Sequence, residues 1–227
     1  MCTITYIPLA DGGHVLTQNR DVGPARARAI PPQTHTYKGK TLKYPVDPQG
    51  GGTWNAISSQ HQACILNGAG YDYYPDFDAP KSRGSLCLDI LTEGPEFLYQ
   101  EDLTLYDHFT LLYFSHHKKE DIREFRWNGD ELMEKKRDAS RPRLWISRGL
   151  YSYPDFLRKR NDFDQFLETL DDMSPEQIAE EVWSFHMKKK VAGEEGYLID
   201  RPGMVKTVST IQSLFLDGRS SIRYQDQ

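Results

Sequence analysis

Apolar and β-branched residues cluster in short runs bounded by turn residues, and the first run is the most informative. Residues 3–9 are rich in β-branched and aromatic side chains, as is Val15-Leu16-Thr17, and Asp11-Gly12-Gly13 between them predicts a hairpin. A tight turn there pairs residues whose numbers sum to about 23, with a slip of about one or two residues within the tolerance of hairpin register. Thr3 then lies near Arg20 and Cys2 near Asp21. Residues 22–52, punctuated by five prolines and closed by Gly50-Gly51-Gly52, read as a long loop with one short strand around Thr36-Tyr37. Within it, Arg26 and Arg28 are the charges nearest the Cys2 edge. A second hairpin is predicted from residues 54–58 and 62–67, which returns Asn67 beside Thr53.

Helical spacing begins at residue 84, with Leu86, Cys87, Ile90 and Leu91 on one face, and Gly94-Pro95 interrupts it before a second short helix. Phe109 to Ser115 reads as a buried strand, Asn128-Gly129 as the turn of a further hairpin, and Arg143 to Ser147 as another strand. Two helices follow, the second opened by Ser174-Pro175-Glu176-Gln177, an N-cap with a capping-box Gln. A last hairpin joins residues 203–216 to 220–224. Blocks of strands alternating with helices argue for an α+β fold, expected to form one domain over residues 1–227.

Composition narrows the function. The chain has 227 residues and a formal net charge of −5, with lysine runs that are short and separated, so no nucleic-acid surface is expected. Three cysteines make no disulfide framework. No apolar run reaches the roughly 20 residues that span a bilayer, and neither a basic leader nor a long apolar one opens the chain. A soluble, cytoplasmic protein is expected. His116 and His117 have no further ligand at metal spacing, so no metal site is expected.

The chemistry concentrates at Cys2. Removal of Met1 would leave a thiol and an α-amine on one residue, a nucleophile and its base together. The amine titrates at about 7.7–8.0 and an ordinary thiol near 8.5, so the amine can take the proton. Arg20 would favour thiolate and Asp21 would hold a cation in place. A surface Arg–Asp pair beside an incidental cysteine is the plain alternative. The glycine triplet offers backbone N–H groups to an anion, and Asn67 is suited to donate to an oxyanion, although Asn67-Gly68 equally marks a turn. Tyr71, Tyr73, Tyr74 and Phe77 either contact an apolar substrate or pack their loop; Thr207 and Ser209 are polar strand-end positions that reach towards the site.

Met1-Cys2, Asn19-Arg20-Asp21, Gly51-Gly52-Thr53-Trp54, Leu66-Asn67, Arg83-Gly84-Ser85-Leu86, Ser209-Thr210-Ile211 and Leu214-Phe215-Leu216-Asp217-Gly218 together resemble the NRDE (Asn-Arg-Asp-Glu) family, also called the transport and Golgi organisation protein 2 family. That family is similar to the Cys branch of the N-terminal-nucleophile (Ntn) amidohydrolases. The resemblance implies a four-layer αββα sandwich of antiparallel sheets and hydrolysis of a linear amide C–N bond through a Cys2 thioester, with no cofactor. It implies Cys2, Arg20, Asp21 and Asn67 as catalytic residues, and Asn19, Thr53, Trp54, Tyr71, Arg148 and Ser209 around a small-molecule substrate. Two positions depart from the pattern: Val22 stands where the signature has Glu, and Arg148 where relatives place a pocket Asn. They favour the rival reading, a non-catalytic trafficking protein for haem or a lipid; a redox thiol is a third. A homo-oligomer is compatible with each.

Overall fold

The computed structural model describes residues 2–10, 12–69, 79–116, 122–147, 149–191 and 193–227. The chain divides into two compact units, one of residues 1–26, 141–146 and 150–227, the other of 27–140 and 147–149.

In the first unit, β1 (Cys2–Pro8) and β2 (His14–Val22) form the expected hairpin. Its register is Cys2 opposite Arg20 and Thr3 opposite Asn19, one residue from the sequence estimate. The hairpin is not an edge. β10 (Arg143–Ile146) pairs with β1, and β14 (Val205–Leu216) pairs with β2 along nearly its whole length. β13 (Asp200–Arg201) and β15 (Arg219–Asp226) complete the sheet, each pairing with β14. All these pairings are antiparallel. β11 (Lys190–Val191) and β12 (Glu194–Glu195) form a separate two-stranded ribbon.

Helices α2 (Tyr153–Leu167) and α3 (Pro175–His186) cover one face of this sheet. Ser152 and Ser174 cap them, the latter in the full capping box that the sequence announces. Phe163, Phe166, Val182 and Phe185 pack with Ile7, Leu9, Val15 and Tyr197, and Phe166 stacks on Phe185 with centroids 4.2 Å apart. Side chains alternate along a strand and cross-strand partners share a face. The odd-numbered residues of β1 and β2 therefore look towards the helices, and the even-numbered ones look away.

The second unit is a seven-stranded antiparallel sheet in chain order: β3 (Ile30–Tyr37), β4 (Lys40–Val46), β5 (Asn55–Ile57), β6 (His61–Asn67), β7 (Phe109–Ser115), β8 (Ile122–Trp127) and β9 (Leu132–Arg137). α1 (Gly84–Glu93) packs on β5, β6 and β7, and a 3₁₀ turn over Pro95–Tyr99 follows Gly94. One expectation is corrected here. Residues 30–46, read as loop, are a hairpin. Lys38 and Gly39 both have positive φ (45° and 77°), the requirement of the two-residue hairpin turn whose twist suits the strands. Pro31 and Pro32 sit where the β3–β4 register slips, between Ile30 and Gln33, so they remove no regular ladder bond.

Candidate functional site

Cys2 opens β1 with its side chain on the face turned away from α2 and α3, and it is buried. Arg20 is its cross-strand partner, and Gln18 and Ser209 lie on the same face, Ser209 opposite Arg20 in the β2–β14 register. Burial pushes the Cys2 thiol above its ordinary value. The amino-terminal charge opposes it most, the Asp21 charge acts in the same sense as burial, a hydrogen bond with Gln18 opposes it, and Arg20 opposes it least. The resting group is thus a thiol that needs a base, and Arg20 alone does not make it a thiolate. Gln18 was not singled out from the sequence; the two-residue period of β2, which places it on the Arg20 face, is the signal that could have found it.

Asn19 and Asp21 project from the opposite face. Asn19 is a buried keystone: its amide nitrogen donates to the carbonyls of Tyr197 (2.8 Å) and His186 (3.1 Å), and its oxygen accepts from Thr210 Oγ1 at 3.0 Å. That orientation fixes the ring of His186. Nδ1–H donates to Asn19 Oδ1 at 3.1 Å, and Nε2 accepts from the Thr5 hydroxyl at 2.8 Å. His186 is accordingly neutral, its pKa pushed down to about 3 by burial. Asn19 thereby ties β2 to α3 and to the segment leading into β13.

Asp21 is fully buried, and Thr207 Oγ1 donates to its Oδ1 at 2.6 Å. Burial is the largest influence and pushes the carboxyl up to about 7; the Thr207 hydrogen bond and the amino-terminal charge pull it down, Glu195 pushes it up and Arg201 lowers it. A carboxyl near 7 exchanges a proton at neutral pH. The thiol of Cys2 therefore stands on one face of the sheet, a titrating carboxyl on the other, and the strand end of Cys2 lies between them. Tyr224, on β15 and buried enough to be raised to about 12, also feels Ser209 and Arg20.

The other expected residues belong to the second unit. Thr53 and Trp54 are buried ahead of β5; the Thr53 hydroxyl donates to the Asn55 carbonyl at 2.9 Å, a local turn bond. The glycine triplet does not form an anion nest. Gly50 N–H is held by Asp47 Oδ1 (3.3 Å), Gly51 N–H by the Asp47 carbonyl (2.8 Å) and Thr53 N–H by the Gly84 carbonyl (3.1 Å). The glycines serve close packing instead: a Cβ on Gly52 would lie 2.4 Å from the Gly84 carbonyl carbon, and one on Gly84 2.8 Å from Thr53 N.

Asn67 ends β6, half-buried and opposite Phe109. The carbonyl of His108 fixes the chain just beyond it, accepting from Gly68 N–H (2.9 Å) and from Arg83 Nη1 (2.9 Å), and Arg83 also pairs with Asp107 at 2.9 Å. Arg83-Gly84 is thus an architectural clamp around the end of β6. Tyr71, Tyr73, Tyr74, Phe77 and Arg148 lie outside the described residues. Cys64 and Cys87 are buried thiols, and Asn55 Nδ2 donates to the Cys64 sulfur at 3.1 Å. Among the described residues no cluster of His, Cys, Asp or Glu is placed to hold a metal, and no helix is long and apolar enough to cross a membrane.

The fold has known counterparts. The structure is similar to penicillin V acylase from Agrobacterium tumefaciens, with a TM-score of 0.55 at 10% identity over 100% of this chain and 86% of that one. It is also similar to the C2A mutant of conjugated bile acid hydrolase from Clostridium perfringens, with a TM-score of 0.47 at 9% identity over 100% and 92% of the two chains. At such identity the first likeness establishes the fold, an Ntn-hydrolase-like α+β arrangement of antiparallel sheets, and nothing finer. No curated protein matches the sequence. The family model for "Transport and Golgi organisation 2" matches residues 1–224, and the chain belongs to that family.

Proposed function

We propose that this chain is a Cys N-terminal-nucleophile hydrolase acting on a linear amide C–N bond of a small acyl-amide or peptide-like substrate, and that residues 1–227 work as one domain. The observation that carries the reading is the amino-terminal hairpin, where Cys2 is paired with Arg20 and followed across the strand by an Asp21 carboxyl that titrates near neutrality. Once Met1 is removed, the α-amine takes the thiol proton and Sγ attacks the carbonyl carbon. Asn67 and a backbone N–H stabilise the tetrahedral oxyanion, a role assigned to Asn67 by the resemblance. Collapse breaks the C–N bond, the ammonium returns its proton to the leaving amine, and water hydrolyses the thioester. Asp21 holds the ammonium. Ser209 contacts the substrate from the Cys2 face, and Thr53, Trp54, Tyr71 and Arg148 are assigned to the pocket by the resemblance.

The buried, protonated resting thiol supports a second reading, a non-catalytic binding protein for a small apolar ligand such as haem or a lipid. Two measurements separate them. Intact mass reports whether Met1 is removed; a retained Met1 blocks the amine and favours the carrier. Hydrolysis of a panel of N-acyl amino acids, short peptides and lactams, penicillin V among them, is then compared between wild type and Cys2→Ala. The hydrolase reading expects turnover that Cys2→Ala abolishes, and equal rates in the two proteins would discard it.

A further inference from the structure

Between Thr207 and Ser209 the pairing of β14 with β2 shifts by one residue: Thr207 lies opposite Asp21 and Ser209 opposite Arg20, while Val208 is the extra residue. In a regular strand residues 207 and 209 would share a face. The bulge sends them to opposite faces instead, Thr207 to the Asp21 carboxyl and Ser209 to the Cys2–Arg20 face. Bulges re-aim side chains in this way beside functional sites.

Thr207 is held with unusual completeness. Its N–H donates to the Ile199 carbonyl at 2.9 Å, and its Oγ1 accepts from the Ile199 N–H at 2.8 Å. A hydroxyl has one proton to give. With a backbone donor occupying an acceptor position on Oγ1, that proton is directed at Asp21 Oδ1, 2.6 Å away. Thr207, Ile199 and Asp21 are all essentially buried, so water does not compete for the arrangement.

We propose that Thr207 is the positioning residue of the amino-terminal site: the bulge and the reciprocal Ile199 bonds lock its hydroxyl onto Asp21 Oδ1, which orients the carboxyl and sets the pH at which it titrates. The inference rests on the hydrolase reading for its purpose, while the Thr207–Asp21 coupling stands independently. Asp21 also feels Glu195 on β12, Arg201 on β13 and the amino-terminal charge, and its own charge acts on the Cys2 thiol and on Tyr151.

The test is the titration of the Asp21 carboxyl carbon by NMR in ¹³C-labelled wild type, Thr207→Ser and Thr207→Val, with Asp21→Asn assigning the resonance. Loss of a hydrogen bond to an ionised group raises the carboxyl's titration by about one to two pH units. Thr207→Val is expected to show that rise and Thr207→Ser to restore the wild-type value. The pH profile of Cys2 alkylation by iodoacetamide, followed by mass spectrometry of the Cys2 peptide, is expected to carry an inflection that moves with it. Thr207→Ala gives the same reading should the valine variant fail to fold. An Asp21 titration unchanged by loss of the hydroxyl, or a Cys2 profile that ignores a moved Asp21, overturns the proposal. Equal hydrolysis by wild type and Cys2→Ala would discard the hydrolase reading, and a titration moved by Thr207→Val would still support the coupling.

Discussion

Replacing Asp21 with Asn should favour the folded protein more at neutral and alkaline pH than in acid. The carboxyl is fully buried and its pKa is raised from 3.8 to about 7. A carboxyl that binds its proton more tightly when folded stabilises the fold as pH falls and destabilises it as pH rises. Above pH 7 both states are ionised, and the shift of about three units at 1.36 kcal/mol each puts the cost of the buried charge at about 4 kcal/mol. At pH 5 the folded carboxyl is protonated while the unfolded one, near 3.8, is mostly ionised, and linkage leaves a cost of only about 1.6 kcal/mol. Asn keeps an oxygen for the Thr207 hydroxyl. The amide's own burial lowers the net gain, but equally at both pH values. The stability difference between Asp21→Asn and wild type should therefore shrink by about 2.5 kcal/mol between pH 8 and pH 5. Urea unfolding followed by tryptophan fluorescence at the two pH values measures it. A difference that is the same at both would show that Asp21 titrates normally, and the near-neutral carboxyl on which the proposed site rests would fall.

Three further outcomes follow from the same geometry. Asn19→Ala removes the polar links from β2 to α3 and Tyr197 and strands several buried groups; a loss of about 3–5 kcal/mol is expected in denaturant unfolding, where a loss under about 1 kcal/mol would deny the keystone role. His186, held neutral with its pKa near 3 against 6.5 unfolded, contributes stability that is complete above about pH 6.5 and lost as pH falls towards 3, up to about 5 kcal/mol. His186→Gln should flatten the fall in unfolding midpoint between pH 6 and pH 4, and an unchanged slope would assign it to other groups. Gly52→Ala drives a methyl into the start of α1, so a thermal midpoint lowered by several degrees or more is expected, with no such effect from Gly23→Ala, whose Cβ would meet only the Met204 carbonyl oxygen, at 3.8 Å. Equal midpoints for the two variants would contradict the close approach.

The local rules written in the chain were sufficient for much of this molecule. The Asp-Gly-Gly and Asn-Gly turns, the capping box at Ser174, the break at Gly94-Pro95 and the apolar period of α1 and α3 each act over a few residues, and each element formed where those signals placed it. The order of elements pointed to the α+β class, and the meeting of Cys2 with the Asn19-Arg20-Asp21 strand end was legible because a hairpin is a local object, although the sequence put Cys2 opposite Asp21 and the structure pairs it with Arg20, one residue away. The hairpin at residues 30–46 was obscured because its prolines fall at a register shift, which only the pairing partner defines.

Tertiary structure decided what depends on distant partners. β14, nearly 190 residues from β2 in sequence, supplies Thr207 and Ser209 to opposite faces through a one-residue bulge. Whether Asn19 meets a substrate or a helix was invisible until α3 brought His186 over it, and whether the glycine triplet binds an anion or a helix end was invisible until α1 docked. The elevated proton affinity of Asp21 belongs to the same class: a carboxyl's pKa is set by how much water the whole fold removes from around it, and no neighbouring residue in the sequence carries that information.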